Sequence, residues 1–227
     1  MSIVNKDIKT KGYVIRRTNY GEADRILNII TPLGKLSAMA KGVRKEKSRL
    51  AGAIEMFTLT DYVFHKGKGE LLIVTSAKML NHYNNILKDY NRMELAGTIL
   101  KRVSKAADST DNADFFRIVD QSLNGLNNGL DNRIVEAWVL LNLIKASGEQ
   151  INIQRDVHGD KLSAGHRYEW DISENCFYVK EDGEYDENDI KVLRLLLSVD
   201  LSVVARVKNI NEMIGKILQL IYMIAQL

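Results

Sequence analysis

The chain of 227 residues contains one cysteine, Cys176, and one proline, Pro32. A lone thiol excludes an intrachain disulfide framework and agrees with a reducing, cytosolic setting. Apolar runs long enough for targeting or spanning are missing too. The opening MSIVNKDIKTKG has no apolar core of the kind a secretory signal needs. Ile210 to Leu227 is apolar, but Glu212, Lys216, Gln219 and Gln226 interrupt it. It is short for a membrane span and reads as a buried or partner-facing helix.

Catalytic patterns are absent as well. There is no G-x-S-x-G elbow, no G-x-x-x-x-G-K-S/T phosphate loop, no H-E-x-x-H, and no cysteine beside a histidine in a known arrangement. These absences count against an enzyme. The four histidines, His65, His82, His158 and His166, are scattered, with His65 at the end of an expected strand and His82 at the start of an expected helix. His158, His166 and Cys176 could offer three zinc ligands, whereas a structural site wants four with paired spacing. Neither metal nor cofactor is expected, and Cys176 reads as a small buried apolar side chain.

What is present is a division of charge. Residues 1–80 carry 15 Lys and Arg against 7 Asp and Glu, a balance of +8, and residues 81–227 carry 17 against 22, a balance of −5. A polyanion-binding module joined to a part with another task would be divided in this way.

The positive part centres on Gly12 to Arg49. Tyr13, Ile15 and Arg17 should face one side of an extended segment, and Val14, Arg16 and Thr18 the other. Arg25 to Thr31 forms a second strand, stopped by Thr31-Pro32-Leu33-Gly34. Pro32 sets φ for a turn and Gly34 supplies permissive backbone, so Lys35 to Lys41 should return as a third strand with Leu36, Ala38 and Ala40 inside. Lys41 to Arg49 then holds five cations against one acid and no apolar side chain larger than valine, which reads as a basic loop outside the core. Two further strands, Ile54 to His65 and Glu70 to Met79, flank Lys66-Gly67-Lys68-Gly69. Five strands in about eighty residues suit a small barrel, with an OB-fold as the leading candidate.

From Asn81 the period becomes helical. One helix carries Ile86, Met93, Ala96, Ile99, Leu100 and Val103. A second carries Phe115, Ile118, Val119, Ser122 and Leu123 and is closed by Gly125. A third, capped by Asp131 or Asn132 and ended at Gly148, is apolar nearly all round and should be central. Arg167 to Ile172 and Cys176 to Lys180 read as a short hairpin. Six acids then fall between Glu181 and Asp189, where Asp186 can cap a helix carrying Ile190, Leu193, Leu196 and Leu197. The last helix begins between Val204 and Ile210 and should pack on the third.

The residues Gly12 to Arg17, Tyr20-Gly21-Glu22-Ala23-Asp24-Arg25-Ile26, Thr31 to Lys35, Ala40 to Arg44, and Ser48-Arg49 resemble the N-terminal signature of the RecO family of bacterial recombination mediators. The later layout is similar to that family over the full length, with a departure near 150–185. Many relatives carry a four-cysteine zinc module there, and Gln154 to Lys180 here keeps one cysteine and reads as a polar β-hairpin in its place.

The resemblance implies an α+β protein. Residues 1–80 would form a five-stranded OB-fold β-barrel that binds nucleic acid, followed by an α-helical domain over 81–227 with the small insert. It implies a non-catalytic cytoplasmic mediator, nucleoid-associated when on DNA, that binds single- and double-stranded DNA and anneals complementary strands. The implied partners are RecR and single-strand-binding protein, whose tail docks on the helical domain, in loading RecA. By position the DNA-binding residues are Lys35, Lys41, Arg44, Lys45, Lys47 and Arg49, with Arg16 and Arg17 nearby, and Tyr13 and Tyr20 could stack on bases or fill the barrel. Electrostatics alone leave open an OB-fold module for RNA, or a scaffold on which the basic loop is incidental.

Overall fold

The computed structural model describes residues 7–67 and 69–225. Residues 1–6 of the opening stretch, Lys68 of the second hairpin turn, and the last two residues of the C-terminal run lie outside them. The chain divides into two compact units, Met1–Asn127 and Asn128–Leu227.

In the first unit β1 (Asp7–Tyr20), β2 (Asp24–Thr31), β3 (Gly34–Ala40), β4 (Thr58–Lys66) and β5 (Leu72–His82) form a closed barrel in the order β1-β2-β3-β5-β4. β1 pairs antiparallel with both β2 and β4, and a short parallel contact, Ala38 with Leu72 and Met39 with Ile73, joins β3 to β5. The β2–β3 turn forms where Pro32 and Gly34 place it. Gly34 has φ +99°, and Thr31 Oγ1 donates to the Gly34 carbonyl at 2.8 Å while accepting from Leu33 N at 3.1 Å. Val14, Leu27, Ile29, Ala38, Ala40, Tyr62, Phe64 and Val74 fill the interior, so the small face of β3 packs inside as its alanines require.

Several boundaries differ from the sequence reading, the first at β4, which starts at Thr58 and not at Ile54 because Gly52–Ile54 form a 3₁₀ turn and Phe57 takes a φ of +58°. β5 continues to His82, which therefore closes a strand, and a 3₁₀ turn at Ile86–Lys88 precedes α1 (Tyr90–Ser109). The Asp89 carboxylate caps α1 by accepting from Arg92 N at 3.1 Å. α2 (Asp114–Asn127) contains Gly125 within the helix, and the backbone leaves at Gly129, φ +83°.

The second unit is built on α3 (Asn132–Ala146). Asp131 caps it, Gly148 has the left-handed φ of +88° that its position needs, and side chains from Ile134 to Leu143 are buried on every side. α4 (Glu187–Ser198), α5 (Leu201–Val204) and α6 (Ile210–Ile224) pack against it. Asp186 and Asp189 form a reciprocal capping box at the start of α4, and Lys216 of α6 pairs with the buried Asp189 carboxylate. The C-terminal apolar run is thus core, with Ile214, Ile217, Leu220 and Ile221 buried. No helix among the described residues is long and apolar enough to cross a membrane.

The insert is a three-stranded sheet in the order β6 (Asn152–Asp156), β8 (Cys176–Val179), β7 (Tyr168–Asp171). The expected hairpin is β7–β8, and β6 adds a parallel strand on the other side of β8. Its interior is aromatic rather than polar. Phe177 packs in T-shaped geometry with Trp170, Tyr185 and Tyr168 at ring distances of 4.9, 5.9 and 6.1 Å. Cys176 is buried beside it, and burial pushes its thiol pKa up. Among the described residues no group of three or more His, Cys, Asp or Glu could hold a metal ion.

Gly12 tests how closely the barrel is packed. A Cβ there would lie 2.6 Å from Ile29 Cγ2 and 2.8 Å from the Ile30 carbonyl oxygen. Gly12→Ala is expected to cost about 1–3 kcal/mol, the usual range for overpacking. The readout is a lower urea midpoint of unfolding, and an unchanged midpoint would show that β1 and β2 separate there without cost.

Candidate nucleic-acid interface

The interface begins with a register shift. Val14 faces Ile29 and Arg16 faces Asn28 across the β1–β2 ladder, so Ile15 is the extra residue of a β-bulge. Directly opposed residues share a face, and one inserted residue exchanges the faces of everything after it. Val14 and Arg17 therefore stand on the interior side with Ile29 and Leu27, while Tyr13, Arg16, Thr18 and Tyr20 stand on the outer side. This corrects the strict alternation that grouped Tyr13, Ile15 and Arg17. β3 continues the outer side, with Ser37 opposite Asn28 and Met39 opposite Ile26, and Ser37 Oγ donates to Asn28 Oδ1 at 3.1 Å.

The basic loop is ordered against the same end of the barrel. Asp24 Oδ1 accepts from Gly42 N at 2.7 Å, Ala23 O from Arg44 N at 2.9 Å, and Gly21 O from Arg44 Nη1 at 3.1 Å. Val43 is buried in the barrel core with Ile54, contrary to the reading of this loop as wholly outside the core. Fully burying such a side chain is worth about 1.5–3 kcal/mol, against roughly 0–1 for an exposed charge contact, so Val43 fixes the loop more than its charges do. Lys41, Arg44, Lys45, Lys47 and Arg49 are left exposed around it. Lys41, Lys45, Lys47 and Arg49 form no ion pair among the described residues. Because the loop is tied to the β1–β2 turn, Tyr20, the last residue before that turn and 53% exposed, lies on the same rim.

The remaining sequence candidates divide. Arg16 is exposed on the outer face. Arg17 is half-buried and donates to Glu55 Oε2 at 2.6 Å. Lys35 is held by Asp108 at the end of α1, and the hydrogen bond and charge of Lys35 keep that carboxyl below the usual range. Tyr13 cannot stack on a base. It is 1% exposed, its hydroxyl donates to Asp120 Oδ1 at 2.7 Å and lies 2.8 Å from the Tyr83 hydroxyl, and its ring packs 5.6 Å from Phe116. Burial, more than these partners, raises its pKa.

Sequence reading missed the cations of α1. Lys101, Arg102 and Lys105 line a cleft of about 710 Å³ together with Arg16, Ile15 and Met56. The run Lys101-Arg102-Val103-Ser104-Lys105 holds three cations in five residues, but they fall on the polar face that any helix with the apolar period of Ala96, Ile99, Leu100 and Val103 presents to solvent. A second cleft, of about 410 Å³, lies at the other edge of β3 and is lined by Met39, Lys41, Gly67 and Ile73.

A five-stranded barrel closed in this order, with an exposed outer face on β1–β3 and a basic rim, has the architecture of the OB-fold class. The chain matches "Recombination protein O N terminal" over residues 1–83 and "Recombination protein O C terminal" over residues 87–227, and it belongs to that family. It is 28% identical over 222 residues to "DNA repair protein RecO" of Dehalococcoides mccartyi strain CBDB1, covering 93% of this chain and 86% of that protein. It is 32% identical over 142 residues to the protein of the same name from Exiguobacterium sp., covering 62% and 57%. The Roseiflexus sp. protein of that name is 37% identical over 122 residues, covering 53% and 43%. Family membership supports a role in DNA repair and recombination.

The two tyrosines separate structure from binding. Tyr13→Phe should lower stability by about 1–3 kcal/mol, because it leaves the Asp120 carboxylate short of a donor, and should leave oligonucleotide affinity unchanged. Tyr20→Ala should do the reverse, with unaltered thermal unfolding and several-fold weaker binding. Equal binding by wild type and Tyr20→Ala would remove Tyr20 from the interface.

Proposed function

We propose that the protein is a non-catalytic DNA mediator. On this reading residues 1–80 bind single- and double-stranded DNA and promote annealing of complementary strands. Residues 81–227 serve protein partners, with RecR and the tail of single-strand-binding protein engaged so that RecA is loaded on coated DNA in the bacterial cytoplasm. The observation that carries the reading is the ordered loop from Lys41 to Arg49, whose cations surround a buried Val43 beside the exposed outer face of β1–β3.

Physical chemistry links that geometry to annealing. Each cation that neutralises a phosphate releases condensed counterions, which gives affinity without sequence preference. Two complementary strands repel one another through the same phosphates, and a basic rim that holds them reduces the repulsion while base edges stay free to pair. Arg16, Thr18 and Tyr20 supply the neighbouring face, where Tyr20 offers a ring to any base. Preorder also helps. A loop already fixed by Val43 and Asp24 loses little conformational freedom when it binds.

Fluorescence anisotropy of a labelled single-stranded oligonucleotide across a salt series tests this. The logarithm of the affinity should fall linearly with the logarithm of salt, and Lys41→Glu/Arg44→Glu/Lys45→Glu should bind far more weakly with a slope shallower by about 2, at roughly 0.7 per phosphate contact. Wild-type binding by the triple variant would place the site elsewhere. Failure of both proteins to bind would favour the scaffold reading, and faster annealing of RNA than of DNA the RNA module.

A further inference from the structure

The cleft between β1 and α1 is not explained by packing. Its lining carries the cations Arg16, Lys101 and Lys105, beside an Arg102 that has a partner of its own, against one acid, Asp108, which is already engaged by Lys35. Lys101 and Lys105 are exposed, stand one helical turn apart on the same side of α1, and form no ion pair among the described residues. Ile15 and Met56 give the cleft an apolar floor, and Thr98 and Ser104 add hydroxyls along its wall. Gly97 keeps it open. A Cβ at that position would meet nothing within 4 Å.

Arg16 connects this cleft to the outer face. Arg16, Thr18 and Tyr20 lie two residues apart in succession on one side of β1, so the distance from the cleft edge to the basic rim is about 13 Å at 3.3 Å per residue. Between the two stand Asn28 and Ser37, which are polar, and the edges of Ile26 and Met39. No acid interrupts the path from Arg16 to Thr18 and Tyr20 along β1.

We propose that the cleft is a second phosphodiester site, which takes the backbone of the same single strand as it leaves the β1–β3 face. This rests on the DNA-binding reading and deepens it. Lys101 and Lys105 bind successive phosphates, Arg16 guides the strand across the edge, and the floor of Ile15 and Met56 accommodates the sugars. A strand too short to reach from the rim to α1 gains nothing from these residues.

The test is therefore length dependence. Wild type, Lys101→Glu/Lys105→Glu and Gly97→Leu are compared by anisotropy on oligothymidylates of about 4 and about 20 nucleotides, lengths at the lower limit of, and beyond, the roughly 4–16 nucleotides that a single OB-fold covers. Gly97→Leu fills the cleft without changing charge and replaces a poor helix former by a good one, so it should remain folded. Wild type should bind the long strand more tightly, with both variants weaker by about tenfold on the long strand alone, and the double variant losing about 1.4 in salt slope there. Wild-type length dependence in both variants overturns the cleft while leaving the loop intact as the site. Loss of binding to the short strand in the cleft variants also overturns it, because the cleft would then not be a continuation. If wild type binds neither length, the DNA-binding reading falls and this site falls with it.

Discussion

Ile15 has no partner across the β1–β2 ladder, and side chains alternate at period two, so that one unpaired residue moves Arg16, Thr18 and Tyr20 from the interior side to the outer side. Without the bulge, the strand that turns Tyr13 toward α2 would turn Tyr20 and Arg16 into the barrel. With it, one strand has two outer stretches of different character. The first is closed, with Tyr13 bonded to Asp120 and packed on Phe116. The second is open and ends at the basic rim. Burial of Ile15 itself holds the bulge in place, since the residue is only 4% exposed.

The basic loop depends on an apolar anchor in the same way. Five like charges in nine residues repel one another and would disfavour a compact loop in isolation. Val43 offsets that repulsion by filling the end of the barrel with Ile54, and Asp24 ties down the backbone on one side. The charges are thereby held outward at a fixed place. An ion-paired surface would be electrically quieter, and here two candidates, Arg17 and Lys35, do take that form with Glu55 and Asp108.

Much of this was legible in the sequence where a single residue type has a single structural use. Pro32 and Gly34 fixed the hairpin, the alanines of β3 identified an inward face, Asp186 announced a helix start, and the all-round apolar α3 identified the centre of the second unit. The bulge was not legible, because Tyr13-Val14-Ile15 is equally apolar on both sides and alternation has no contrast there. Strand β6, Asn152–Asp156, has one buried apolar residue, Ile153, in five, too little for any period to register. Tyr13 admitted two uses from sequence, and only its partners Tyr83 and Asp120, 70 and 107 residues away, decide between them. The insert held the other surprise. Tyr168, Trp170, Phe177 and Tyr185 are spaced too irregularly to read as a core, yet they converge on Phe177 and supply an aromatic centre to a small sheet.

On the proposed function, nucleic acid would lie on the outer face of β1–β3 beside the Val43-anchored loop. Photocrosslinking with an oligonucleotide carrying 5-iodouracil, followed by peptide mapping, tests it most directly. Crosslinks should map to Tyr20 and Met39, whose side chains border that face. Crosslinks confined to β4 and the exposed side of β5, with Tyr20 and Met39 unmodified, would contradict it.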